Sequence, residues 1–214
     1  MEPSELIEKI GGRFSKELGI DLASHKSEAL FAWLLAAILF GARISWKIAE
    51  KTWHCFEKHG LLTPEAITHA GWKKLVSILD EGGYARYDFK TATKLLSATE
   101  NLLKRYGGNL DMLHEEASSF EELEDRLTSL AKGIGPVTAG IFLREMRGIW
   151  EKATPPPSER AIRAAKALGL LPENLQDRKE ALDLLVGLCG ANLFPDFEAA
   201  LLRWNAKGAS HSNR

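Results

Sequence analysis

An all-α fold is what this sequence predicts, and three observations predict it. Apolar residues recur every three or four positions in one segment after another. Ser, Thr or Pro stands at the start of most of these segments and Gly at the end, the order of helix starts and stops. No stretch alternates apolar with polar residues between turn signals, as a half-buried strand would. Spacing of this kind divides the chain into about ten short helices.

Taken in order, Ser4 caps a first helix expected to run to Leu18, with Leu6, Ile7, Ile10 and Phe14 on one face and Gly19 as its stop. Ser24 or Ser27 opens a second, Glu28 to Phe40, apolar on every side. Such a helix belongs at the centre of a domain, and the run from Ala29 to Phe40 is too short to cross a bilayer. Ser45 opens a third, with Ile48, Trp53 and Phe56 inward, ending at Gly60. Thr63-Pro64-Glu65 is a cap followed by proline at the first helical position. A short helix to His69 and another from Gly71 to Leu79 follow. Tyr84 to Tyr106 is long and basic on one face through Arg86, Lys90, Lys94 and Lys104. Ser118 with Glu121, or Ser119 with Glu122, forms a capping box for the next helix.

That helix leads into Leu127–Leu143, whose centre is Gly133-Ile134-Gly135. Gly133 accepts the positive φ of a helix end, and Pro136 starts a new helix where its missing N–H is no loss. The spacing is that of a helix-hairpin-helix. Its loop exposes amides at a helix N-terminus, beside Lys132 and ahead of Arg144 and Arg147, and suits an anion such as a nucleic-acid phosphate. The same spacing also serves a plain turn between helices. Beyond it, Pro155-Pro156-Pro157 forms a stiff extended connector. Ser158 caps a helix from Glu159 to Leu168, stopped by Gly169. Two more run from Gln176 to Leu188 and from Pro195 to Asn205, and the polar tail Gly208 to Arg214 is expected to lack structure.

Composition narrows the function. With 28 basic and 29 acidic side chains the net charge is −1, so nucleic-acid affinity must come from a local basic face. Cys55 and Cys189 are too few for a disulfide framework and too few for the four ligands of an iron–sulfur cluster. No cofactor is expected. The acidic start Met1-Glu2-Pro3-Ser4-Glu5 is not a signal peptide, which points to the cytoplasm, at the nucleoid in a prokaryote, with no membrane partner. His54, Cys55 and His59 lie close together, but without a further ligand they read as a half-buried thiol between surface histidines, and no metal site is expected.

On these residues the chain resembles the helix-hairpin-helix DNA glycosylases of the endonuclease III superfamily, over Leu30 to Leu170. Ile38-Leu39-Phe40-Gly41-Ala42-Arg43 is similar to the family's early Leu-Leu-Ser-Ala-Gln segment. Ala131 to Ala139 is similar to its Leu-Pro-Gly-Val-Gly-Arg-Lys-Thr-Ala. The resemblance implies a two-lobed helical fold, with one lobe over residues 25–130 and the other over 1–24 plus 131–214, and a cleft between them. It implies a monomer that binds double-stranded DNA and excises a damaged or mismatched base. In bifunctional members the residue before Thr-Ala is a lysine that attacks the sugar. Here it is Val137, so a Schiff base by that route is closed and base removal without strand cleavage is implied.

The family aspartate that supports the cationic sugar matches Ser158, aligned through Arg163, with Glu159 as the adjacent acid. Ser158 also reads as a plain N-cap, and Glu159 as a first-turn acid complementing the helix dipole. The implied DNA-binding set is Lys132, Gly133, Ile134, Gly135, Val137, Thr138 and Arg43, the last where the family fills the space of a flipped base. Arg160, Arg163 and Lys166 share a helix face suited to phosphates or to solvent. Of the six tryptophans, Trp33, Trp53 and Trp204 follow core spacing, while Trp46 and Trp150 fall near the implied cleft and are the candidates for base contact. Two functions follow: a glycosylase, and a relative without catalysis that binds bent or damaged duplex.

Overall fold

The computed structural model describes residues 2–211, with side chains through residue 204. Among the described residues every regular element is helical. The chain divides into two compact units, Ile20–Ala153 and Met1–Gly19 together with Thr154–Arg214. The division expected from sequence lies at residues 24/25 and 130/131. The helix after the Gly-Ile-Gly turn instead belongs with the central unit, because Phe142 and Leu143 are buried in that unit's core and the Phe142 carbonyl accepts from Trp33 Nε1 at 3.2 Å.

The central unit is built on α3, Ser27–Phe40. Every residue from Leu30 to Leu39 is buried, as its unbroken apolar run requires. Its neighbours satisfy polar groups as well as packing against it. Trp53 Nε1, from α4 (Trp46–Lys58), donates to the Ala32 carbonyl at 3.2 Å, and the Tyr84 hydroxyl donates to the Leu39 carbonyl at 2.6 Å. An orphaned buried donor costs about 1–3 kcal/mol, so these bonds are what allow large amphipathic rings in the core. Ser45 caps α4 by accepting from Ile48 N. Thr63 caps α5 (Pro64–Gly82), which the non-helical backbone of Gly71, at φ +71°, divides into the two short helices that the sequence predicts. The long basic helix is α6, Asp88–Tyr106; residues 84–87 form a turn before it. A short helix that the sequence pattern does not announce follows, α7 (Leu110–Glu116), capped by Asn109.

The terminal unit packs α10 (Glu159–Ala167) and α11 (Arg178–Cys189) with α12 (Phe194–His211) and α1 (Pro3–Ile10). Ala161, Ala164 and Ala165 meet Phe194, Phe197 and Leu201 in one core with Leu6. The expected single helix from Ser4 to Leu18 is broken. It begins after a Glu2–Glu5 capping box, stops at Gly11, where φ is +101°, and resumes as α2 (Phe14–Glu17). The cause is Asp196: a Cβ on Gly12 would overlap its carboxylate, which accepts from Arg13 N at 3.0 Å and from Lys16 Nζ at 3.1 Å. Burial pushes the Asp196 carboxyl up, and the bonds from Arg13 and Lys16 outweigh it, leaving the pKa below the ordinary value. At the other end α12 extends past the expected stop at Asn205 to His211; of the tail expected to lack structure, residues 212–214 lie outside the described residues. Among the described residues no single helix is long and apolar enough to cross a membrane.

Candidate functional site

The turn around Gly133 is fixed from both sides. Helix α8 (Phe120–Thr128) starts at Ser119, whose Oγ accepts from Glu122 N at 3.2 Å. Glu122 accepts in turn from Ser118 N at 2.7 Å and from Arg126 Nη2 at 2.8 Å. The bonds from Ser118, then from Arg126, hold the Glu122 pKa down at about 2. α8 ends at Thr128, earlier than the Gly133 stop that the sequence suggests, because Ser129 and Leu130 already turn away with Leu130 buried. α6 holds this segment: Arg105 Nη1 donates to Ser129 Oγ and Asn101 Nδ2 to the Leu130 carbonyl, both at 2.9 Å.

The turn then closes on its own backbone, Ile134 N donating to the Ala131 carbonyl at 3.0 Å, with Gly133 at a φ of +94° that favours glycine. Gly135 caps α9, Pro136–Glu145, whose first position is the proline. Here the two glycines differ. Gly135 has φ −116°, open to any residue, and a Cβ there would meet nothing within 4 Å. The fold therefore does not require glycine at 135. Its absent side chain leaves the amides of the α9 first turn open to an approaching group.

Lys132, Gly133 and Val137 are exposed, Val137 at 69%. Ile134 and Thr138 turn their side chains inward, so they can offer a ligand only backbone. Thr138 does so for a reason that links the two sequence motifs: a Cβ on Gly41 would overlap its hydroxyl, so the end of α3 and the first turn of α9 lie in contact. The segment leaving that contact carries Arg43, which is exposed, and Phe40 and Trp46 stack across it, ring centroids 4.0 Å apart and planes within 4°. Trp150 is not at such a surface. It is 2% exposed, its indole N–H donates to Asp111 Oδ1 at 2.7 Å, and His114 stacks on it, which corrects its reading as a base contact. Arg147 is likewise buried and donates to the Arg144 carbonyl, so it adds no charge at the surface of the turn.

In the terminal unit, Arg178 donates twice to the Pro157 carbonyl, at 3.0 and 2.9 Å, and so anchors the proline connector. Ser158 Oγ accepts from Ala161 N at 3.2 Å: it is the N-cap of α10. Glu159 is exposed in the first turn. A third group is one that the sequence reading misses. Glu198, 1% exposed on α12, has its carboxylate 3.4 Å from Ser158 N, which donates to it. Its signal is an acid within the apolar stripe Phe194, Phe197, Leu201. Arg160 and Arg163 are exposed, whereas Lys166 is committed to the carbonyls of Glu173 and Leu175 at 2.8 and 2.6 Å. His54 and His59 pair with separate carboxylates, Glu57 and Glu81, at 2.9 and 2.8 Å, and the Cys55 thiol is buried.

No family model and no curated protein matches this chain. Among solved structures it is similar to H. pylori 3-methyladenine DNA glycosylase (MagIII) bound to 1,N6-ethenoadenine, with a TM-score of 0.57 and 17% sequence identity. The match spans 97% of this chain and 99% of that one. The likeness shows the fold: this chain shares the all-helical fold of that structure.

Proposed function

We propose that this protein is a DNA repair glycosylase of the helix-hairpin-helix type, acting on a damaged or mismatched base in duplex DNA without cutting the strand. The observation that carries the reading is Gly135. Its backbone would accept any side chain, yet it has none, at the point where the amides of α9 open beside Lys132. That arrangement fits a phosphate oxygen, and phosphate contacts position a protein on a duplex without reading sequence. The fold shared with a solved glycosylase supports the same reading.

A base buried in a duplex must be rotated out before its glycosidic bond can be reached. Arg43, exposed beside the start of α9, is the candidate to enter the vacated space. The stacked Phe40–Trp46 pair beside it is the candidate aromatic surface for the extruded base. With Val137 in the lysine position no amine attacks the sugar there, which leaves water. As the bond breaks, positive charge grows on the sugar, and an anion near it lowers the barrier. Glu159 is the exposed acid next to the position of the family aspartate; Ser158, on that position, has its oxygen engaged as a cap. This last fact favours the second reading, a relative that binds distorted duplex without catalysis. A panel of duplexes with single defined lesions separates the two: base release followed by strand scission only after alkali supports the glycosylase, and tight binding with no release supports the binder.

A further inference from the structure

We infer that Lys94 is a second cation of the phosphate site at the Gly133–Gly135 turn, reaching it from α6 beneath the loop. This rests on the nucleic-acid reading above and names a group that the turn's own sequence does not contain.

Three side chains of α6 meet the segment 129–133. Arg105 donates to Ser129 Oγ, Asn101 donates to the Leu130 carbonyl, and the Lys94 stem lies against Gly133. The spacings 94, 101 and 105 put all three on one face of the helix. A Cβ on Gly133 would stand 3.1 Å from Lys94 Cε and 3.8 Å from its Nζ. Glycine at 133 therefore serves twice, in permitting φ of +94° and in leaving room for the lysine stem. Arg105 and Asn101 spend their donors on the protein. Among the described residues Lys94 has no hydrogen-bond or ion-pair partner, although it is half-buried.

An ammonium withdrawn from water without a counter-charge is a cost to the folded state. Burial accordingly pushes the Lys94 pKa down. A phosphodiester oxygen arriving at the turn supplies the missing counter-charge. It also favours the charged form that burial disfavours, so desolvation already met in folding becomes binding selectivity for an anion. A compact ammonium suits this role, since one oxygen can be met at a point without the two-pronged geometry that arginine demands.

The test uses the full chain, a labelled undamaged duplex and a salt series. Lys94→Met should lower the slope of log affinity against log salt by about 0.9, the share of one neutralised phosphate, and Lys94→Arg should restore most of it. On the native protein, acylation of lysine amines read by mass spectrometry should show Lys94 protected by the duplex, with Lys104 on the same helix as the internal reference. A Lys94→Met protein with the parent's slope, or equal acylation of Lys94 with and without duplex, overturns the inference. If Gly135→Leu still weakens binding in that case, the turn reading stands and only Lys94 is removed from it. If neither variant alters binding, or the parent binds no duplex, both fall. Should Lys94→Met not fold, the acylation result on the native protein decides.

Discussion

Ser158 shows how one residue can fit two roles and be made to choose. The sequence resemblance aligns it with the family's aspartate, and the structure gives its oxygen to Ala161 N. Ser158→Ala should therefore cost about 1 kcal/mol of stability, read from thermal melting, with no loss of base release beyond it. Ser158→Asp keeps a good cap and adds a carboxylate, so base release should rise if an anion at this point is what the reaction lacks. Glu159 carries the complementary expectation. Glu159→Gln should slow base release on the order of a hundredfold to ten-thousandfold while duplex affinity stays the same. Borohydride should trap no covalent adduct with either protein, because Val137 offers no amine. A strong adduct would point to another lysine, and full activity in Glu159→Gln would take that acid out of the mechanism.

Elements are largely legible where they are signalled locally. Ser45, Thr63, Ser119 and Ser158 each cap the helix that the sequence assigns to them, and the apolar run of α3 is buried along its length. What is not legible depends on distant partners. The break at Gly11–Gly12 comes from Asp196, far along the chain, and Trp150 is drawn inward by Asp111. Helix α7 is too short to show a period and is fixed instead by its Asn109 cap and the burial of Leu110 and Leu113. Within each unit the division is the same: the turn and its exposed lysine are local and can be read, whereas in the central unit Lys94 reaches Gly133 from α6, and in the terminal unit Glu198 reaches Ser158 from α12.

The caps also make an acid-stability prediction. Glu122 has a folded pKa of about 2 against an ordinary value of 4.5, set by Ser118 and then Arg126. Glu81 is lowered equally, by His59 and then Lys58. A carboxyl depressed on folding contributes stability that is present above its unfolded pKa and lost as pH falls through its folded one. Melting temperature should thus decline between pH 4.5 and about 2, and Glu122→Gln should flatten that decline. The effect should be modest, since both carboxylates face solvent. The connector is the other element with a clear expectation. Pro156→Gly enlarges the unfolded ensemble and should lower stability by about 0.4–1 kcal/mol while leaving helix content intact. Proteolysis between Trp150 and Arg160 should quicken; an unchanged cleavage rate would show that the connector's order does not depend on that proline.

At the scale of the whole molecule, the balance of charge decides what kind of binder this can be. A net charge of −1 gives no general attraction to a polyanion, so affinity has to be concentrated where the fold collects basic groups and open amides. Lys132 at the turn, Lys94 beneath it and the N-terminus of α9 are such a place. A duplex held there should show a shallow salt dependence, since the slope counts phosphates neutralised and few are available. Gly135→Leu tests this directly. Its backbone at φ −116° accepts leucine, and a Cβ there meets nothing within 4 Å, so the variant should melt as the parent does. The leucine would nonetheless stand over the amides that a phosphate oxygen must reach. Binding should weaken by a similar factor on every duplex, matched, mismatched or damaged, because a phosphate held by these amides fixes position and conveys no sequence information. Anisotropy titrations on a small set of unrelated duplexes would show it. Weakening confined to damaged duplexes would instead assign Gly135 to lesion recognition, and undiminished binding on all of them would reduce the segment to a turn joining two helices.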